Sequence, residues 1–405
     1  MTDGRTAPAA NASALFAPGR IGSLELPNRI VRAGTSETLA DNRGAVTDEL
    51  IDIYAQLARH GVGLLLTGHL YCEPSGQYAP RQTGIHDDAL VPGMRRLTDA
   101  VHAQSGRIFA QLAHAGSQSR MGGADAWAPS AIPNALTGRI GRAGTEADIE
   151  GVIAGYAQAA RRAVAAGFDG VHIHAANGYL ISQFTSPVTN RRDDGWGGSP
   201  TKRDRFAGEV VSAVRRAVPA SMPVTLKLGV VDAVPRGLEL EESVRRAQVL
   251  VELGLDGLEI SCNVMSSATD SARRYVAVDA RRSLDDLLLH RLFSPPVPEA
   301  YFLPWARAVR QTVSSPLILV GGLRRVPTMA RLVADGDADF IALARPLIRE
   351  PDLVTQIRAG RAGQVACTSC NLCLEHEGRH GLRCWRTPRR RLLHHALVRL
   401  RGGLR

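Results

Sequence analysis

What constrains this chain most is the repetition of one simple unit. A short apolar run is followed by a turn and then by a segment whose apolar residues recur on one side at helical spacing, and this happens about eight times. The apolar runs predict strands at 29–33, 62–68, 107–112, 169–174, 223–228, 257–261, 317–320 and 340–344. Helices are predicted at 47–60, 91–104, from 145 onward, and at 202–218, 240–253, 304–313, 327–334 and 352–359. Leu50, Ile51, Tyr54, Leu57 and Ala58 show the one-faced spacing, and Thr145 with Asp148 reads as a capping box. Three units end alike, in GFDGVHI from Gly167, GLDGLEI from Gly254 and GDADFIA from Gly336. Each places a helix-stopping glycine before an Asp-bearing turn and an apolar strand. Alternation of this kind makes either a closed barrel or an open doubly wound sheet. No G-x-G-x-x-G follows the first strand, so the prediction is an α/β fold, a (β/α)8 TIM barrel.

The chain has 405 residues, and barrels of this type commonly run past 250 residues as one unit. The reading divides it into a disordered leader at 1–14, a barrel at 15–363 and a tail at 364–405. The stretch IGSLELPNRIV predicts an N-terminal hairpin feeding the first strand, and the excursion 262–296 after the sixth strand is a long loop of the kind that shapes a binding pocket. The formal charge of +10 suggests a nucleic-acid or membrane partner until it is located. Nine arginines and no acidic residue follow Glu377, so without them the remainder carries about +1. The barrel is nearly neutral and the basicity belongs to the tail, so no nucleic-acid partner is expected. With no signal-peptide pattern and no membrane-length apolar run, the reading is a cytoplasmic protein.

In such a barrel the site lies at the C-terminal ends of the strands. Those ends carry, in order, Thr35 and Ser36, His69, Gln111, His174 with Asn177, Lys227, Cys262, Gly321 with Gly322, and Ala344 with Arg345. The fourth strand is the richest. With a side-chain period of two, His172 and His174 share a face, and Asn177 and Tyr179 leave the strand end just beyond. The run HAANGYL, followed by QF, SP, TNRR and GGS, resembles the signature of the Old Yellow Enzyme family, the FMN-dependent ene-reductases, whose pattern is His-x-x-(His or Asn)-Gly-Tyr. The resemblance extends over roughly 15–363.

It implies a protein that binds FMN, takes electrons from NAD(P)H and reduces activated C=C bonds of a small unsaturated substrate. His174 and Asn177 correspond to the pair that hydrogen-bonds the substrate carbonyl, and Tyr179 to the acid that protonates Cα. Gly321 and Gly322 with Arg345, beside Ala344, resemble the phosphate cradle. Lys227 matches the cation near the flavin pyrimidine, Gln111 the amide at its polar edge, and Ala33, Gly34 and Thr35 the backbone along the ring. Ser36 falls where relatives carry Thr or Cys, and His69 is bulky where many carry a small residue close to the flavin. His172 is read as structural.

The tail holds Cys367, Cys370, Cys373 and Cys384. This spacing resembles the cluster segment of 2,4-dienoyl-CoA reductase and trimethylamine dehydrogenase, larger relatives that carry a further nucleotide-binding region. Four thiolates suit a [4Fe–4S] cluster, and zinc or a vestigial turn stay open. Little sequence follows Cys384, so the reading expects no onward electron path. Leu393, Ala396, Leu397 and Leu400 share one face of a basic amphipathic segment that would cap the barrel, contact a partner copy in a homo-oligomer, or lie on a membrane. Two other functions stay open: an oxidative role in the same family, such as amine dehydrogenation, and a flavin-binding sensor or scaffold.

Overall fold

The computed structural model describes residues 12–121, 126–134, 137–265, 298–369, 373 and 381–385. In chain order its strands are β1 (Gly19–Ile21), β2 (Leu24–Leu26), β3 (Ile30–Arg32), β4 (Leu64–Leu66), β5 (Leu70–Tyr71), β6 (Ile108–Ala113), β7 (Trp127–Ala128), β8 (Arg142–Ala143), β9 (Gly170–Ala175), β10 (Val224–Gly229), β11 (Gly257–Ser261), β12 (Leu317–Val320) and β13 (Phe340–Leu343). Eight of them close a barrel. β3, β4, β6, β9, β10, β11, β12 and β13 pair in parallel in that order, and β13 pairs back onto β3. The fold is the (β/α)8 TIM barrel.

The helices outside it are α1 (Ser13–Phe16), α2 (Asp48–Arg59), α3 (Val91–His102), α4 (Glu146–Ala165), α5 (Leu180–Thr185), α6 (Pro200–Ala217), α7 (Leu240–Glu252), α8 (Leu303–Arg310), α9 (Val326–Ala334), α10 (Arg345–Arg349) and α11 (Leu353–Arg358). Thr145 and Asp148 form the expected capping box at α4. Ser13 and Ala14, counted with the leader in the sequence, belong instead to α1, which buries Leu15 fully in the core. Most of the excursion after β11, 266–297, and the amphipathic segment beyond 385 lie outside the described residues. Among the described residues no helix is long and apolar enough to cross a membrane.

The repeat seen in the sequence has a physical meaning. Gly167, Gly254 and Gly336 all take positive φ, the left-handed turn that ends a helix. Each Asp that follows then clamps the strand of the preceding unit through two bonds. Asp169 donates its N–H to the Ile108 carbonyl at 2.9 Å and accepts the Ile108 N–H at 2.8 Å. Asp256 does the same to Val224 at 2.7 and 2.8 Å, and Asp339 to Leu317 at 2.9 and 2.8 Å. Asp169 also faces His102, Asp256 faces Arg215 and Asp339 faces Arg310. The clamps satisfy strand-entry N–H groups that have no ladder partner.

Inside the barrel the packing is divided. At the lower end the hairpin β1–β2 inserts Ile21 and Leu26 against Val31, Leu64, Phe109, Ile318 and Phe340, forming an apolar plug. On β9, β10 and β11 the inward positions are polar instead. His172 bonds Thr225 Oγ1 at 2.8 Å through Nδ1 and Glu259 Oε2 at 3.1 Å through Nε2, and Lys227 Nζ meets Glu259 Oε1 at 2.7 Å. Glu259 and His172 are fully buried and Lys227 nearly so. Burial alone would raise the Glu259 carboxyl, yet the Lys227 ammonium, with His172, holds it down at about 2.

Two outcomes follow. Asp169→Ala should lower unfolding free energy in denaturant titrations by about 1–3 kcal/mol, the cost of leaving a partly buried N–H unsatisfied. Glu259→Gln should cost about 3–5 kcal/mol by stranding the Lys227 charge. Because the Glu259 carboxyl is depressed on folding, its contribution is present at neutral pH and is lost as pH falls from about 4.5 towards 2. The variant should therefore lose less stability than the wild type across that window.

Candidate functional site

At the C-terminal mouth the barrel carries a row of oriented polar groups. His174 ends the inward face of β9, 3% exposed, and its Nδ1 accepts the Ala176 N–H at 3.3 Å. Burial first, then the nearby Lys227 cation, pushes its imidazole well below the ordinary histidine range, so the ring is neutral. A neutral ring with Nδ1 accepting carries its proton on Nε2, which makes His174 a donor. Asn177 follows in left-handed backbone, φ 60°, a conformation that Asn tolerates better than most residues. Its N–H donates to the Cys262 carbonyl at 2.9 Å, and its side-chain Oδ1 accepts from Ser261 Oγ at 3.1 Å. The amide nitrogen is thereby left as the outward group. Two N–H donors thus come from one strand end.

Tyr179 caps α5 and packs edge-on to His174, with ring centroids 4.8 Å apart. His69, from the loop after β4, lies 5.1 Å from Tyr179 between centroids, and its Nε2 is 3.2 Å from the phenol oxygen. Tyr78 closes the cluster 5.5 Å from His69 and 5.8 Å from Tyr179. The exposed Arg120 guanidinium stands 4.6 Å over the Tyr78 ring.

The remaining sequence candidates line the adjacent strand ends. Gly34 lies so close to Gln111 that a Cβ would stand 2.6 Å from its side-chain oxygen. Gln111 is 1% exposed, and its Nε2 has no partner among the described residues. A buried amide donor without a partner is rare and points to a ligand edge. The Ser36 hydroxyl is a second such group. Ala33 and Thr35 flank Gly34, and the Arg32–Glu37 ion pair at 2.6 Å braces this turn, with Arg32 also reaching Thr35 Oγ1 at 2.6 Å. Gly68 permits the approach, since a Cβ there would lie 2.5 Å from the Thr35 carbonyl.

Across the mouth, Val320 of β12 pairs with Ala342 of β13, so Gly321 and Gly322 leave the barrel beside Ala344 and Arg345. Both glycines take positive φ, 106° and 71°, and a Cβ on either would meet Tyr301 within 2.7 Å. Only glycine fits. These residues suit FMN: a close-approach backbone and an arginine for the phosphate, an orphaned amide for the polar ring edge, and Lys227 nearby. Lys227 does not stand as an isolated cation, because Glu259 compensates it.

The tail cysteines give less. Cys370 lies outside the described residues, Arg349 Nη1 is 3.8 Å from Cys384 Sγ, and among the described residues no group of three or more His, Cys, Asp or Glu could hold a metal ion. Sequence reasoning passed over Glu259, Ser261, Gln82 and Tyr78. For Glu259 a signal existed: alternation in GLEIS puts it opposite Leu258 and Ile260, on the inward face.

Comparison with known proteins shows the family. The profile of the NADH:flavin oxidoreductase / NADH oxidase family matches residues 14–364. The 4,4'-dithiodibutanoate disulfide reductase of Rhodococcus erythropolis is 36% identical, over 89% of this chain and 92% of its own length. The NADH oxidase of Thermoanaerobacter brockii is 34% identical over 88% of this chain, which spans only 53% of that longer protein. Among solved structures, the old yellow enzyme homologue from Zymomonas mobilis superposes with a TM-score of 0.70 at 26% identity, covering 88% of this chain and 95% of the other. The chain belongs to the NADH:flavin oxidoreductase / NADH oxidase family, that of Old Yellow Enzyme, and is an FMN-dependent oxidoreductase.

Proposed function

We propose that the protein reduces activated C=C bonds of α,β-unsaturated carbonyl compounds at the expense of NAD(P)H. The observation that carries this is the pair of donors, His174 Nε2–H and the Asn177 amide, both fixed by contacts on their far sides and set beside the Tyr179 phenol. Gln111, Lys227, Gly321, Gly322 and Arg345 would hold FMN, which when bound would supply the hydride chemistry between the nicotinamide and the substrate Cβ. His174 and Asn177 hydrogen-bond the carbonyl oxygen and stabilise the negative charge that develops there. Tyr179 gives its proton to Cα. A phenol is protonated at neutral pH and can act as a general acid. The cost of reorganisation is low because both donors are already oriented.

A second reading is favoured by Arg120, an exposed cation on the aromatic wall of the site. The Rhodococcus relative is named for a disulfide bearing two carboxylates. For such a substrate, hydride would cleave the S–S bond to one thiol and one thiolate, and Tyr179 would protonate the thiolate. Cys262 would not exchange with it. Its thiol is pushed up to about 12 by burial and donates to the Val231 carbonyl at 3.3 Å. NADH-dependent turnover of 4,4'-dithiodibutanoate, with a KM raised more by Arg120→Gln than the KM for a neutral enone, would favour this reading.

Arg345→Ala should weaken FMN retention by about 1.5–3 kcal/mol, measured by flavin release on dilution, if the guanidinium contacts the phosphate. Replacing His174 and Asn177 together should abolish phenol binding over the flavin and slow flavin reoxidation by enones, with a barrier increase of about 2.7–4 kcal/mol. Tyr179→Phe should leave phenol binding and reduction by NAD(P)H intact while slowing enone turnover about 10²–10⁴-fold. Phenol binding unchanged in the double variant would overturn the assignment of the donors.

A further inference from the structure

Tyr179 is held by a residue 110 positions away, and the hydrogen-bond pattern around that residue fixes which of the two donates. Gln82, 3% exposed, sets this pattern. Its Oε1 accepts the Tyr78 N–H at 2.6 Å, so its amide nitrogen must be the atom turned the other way. That nitrogen lies 2.7 Å from the His69 carbonyl and 2.7 Å from His69 Nδ1, one hydrogen for each. His69 Nδ1 is therefore an acceptor. Burial lowers the His69 pKa to about 4, so the ring is neutral and carries its single proton on Nε2.

We infer that His69 is a positioning residue for the acid, donating Nε2–H to the Tyr179 phenol oxygen at 3.2 Å. The inference rests on the reading of Tyr179 as the proton donor to Cα. In that step the O–H bond of Tyr179 breaks, a C–H bond forms at the substrate Cα with the electron pair of the enolate, and the phenol becomes a phenolate. His69 keeps its proton throughout and strengthens its bond to the new anion. Solvent then returns a proton to Tyr179. The arrangement also prevents the phenol from spending its own O–H on His69, since an Nε2 that donates cannot accept. Among the described residues, the groups packed on Tyr179 carry no competing charge at neutral pH: His174 is neutral and Tyr78 is a phenol, while the Arg120 cation sits over the Tyr78 ring and Lys227, which acts on His174, is paired with Glu259.

Sequence comparison within a motif would not find this contact. His69 leaves β4, Gln82 belongs to the loop that returns past β5, and Tyr179 opens α5. Only the closed barrel brings the three together.

The test uses FMN-loaded protein in two variants. His69→Phe keeps a flat ring and removes the donor; His69→Gln keeps an N–H at comparable reach. Flavin reoxidation by 2-cyclohexenone in the His69→Phe protein should slow about ten- to a hundredfold, the size of losing one hydrogen bond to a charged group. The alkaline limb of its pH profile should move to higher pH, and His69→Gln should recover much of both. Ultraviolet titration of the phenol, taken as the difference from Tyr179→Phe protein, should show phenolate forming at lower pH in the wild type than in His69→Phe. A His69→Phe protein matching the wild type in rate and titration would overturn the inference, and so would equal losses in both variants with the phenol titration unmoved. If the wild type itself does not reduce the enone, the proposed activity fails instead, and the phenol titration still decides the role of His69.

Discussion

The site depends on an ion pair buried inside the barrel. Taking Lys227 and Glu259 out of water costs several kcal/mol for each charge, and the attraction across 2.7 Å offsets this only because His172 and Thr225 satisfy the remaining acceptor and ring nitrogens. An apolar layer of the same volume would serve stability as well or better. What the charged layer supplies is a cation held at a fixed place below the mouth by its carboxylate partner. The same cation, together with burial, keeps His174 neutral and so leaves it with one ring nitrogen that donates and one that accepts.

A common device recurs one layer higher. Each group proposed to face the substrate is oriented by a contact on its other side: His174 by the Ala176 N–H, Asn177 by Ser261 and by its own bond to the Cys262 carbonyl, Tyr179 by His69, and His69 by Gln82. Since each hidden contact uses up one donor or acceptor, the exposed atom has a defined polarity. Directed polarity of this kind is what stabilises charge as it develops, because no dipole has to turn during the reaction. The apolar plug of the hairpin under the barrel makes the opposite contribution, closing the lower end so that the polar layers open only at the mouth.

Much of this was legible in the sequence, for reasons that can be named. The eight units followed from periodicity, and the glycine–aspartate endings marked turns whose carboxylates clamp neighbouring strands, although the clamps themselves connect residues 22, 32 and 61 positions apart. His174, Asn177 and Tyr179 lie within six residues and share a strand end, so local spacing sufficed. Glu259 was passed over because a lone acidic residue in an apolar strand resembles a solvated edge until Lys227 is seen opposite it in register. His69 was read as bulk beside the flavin, and its bond to Tyr179 depends on loop geometry that no spacing encodes. The tail cysteines had a recognisable spacing, but one of the four lies outside the described residues, and spacing alone does not place the other three.

The central claim is that this mouth passes hydride from a nicotinamide to a polarised double bond by way of FMN. It is tested most directly by reducing the FMN-loaded protein with NADH without oxygen, mixing it with 2-cyclohexenone and following the flavin absorbance. The account predicts that the yellow oxidised spectrum returns and that one equivalent of cyclohexanone forms for each flavin. A flavin that stays reduced in the presence of the enone, and reoxidises only when oxygen is admitted, would contradict it.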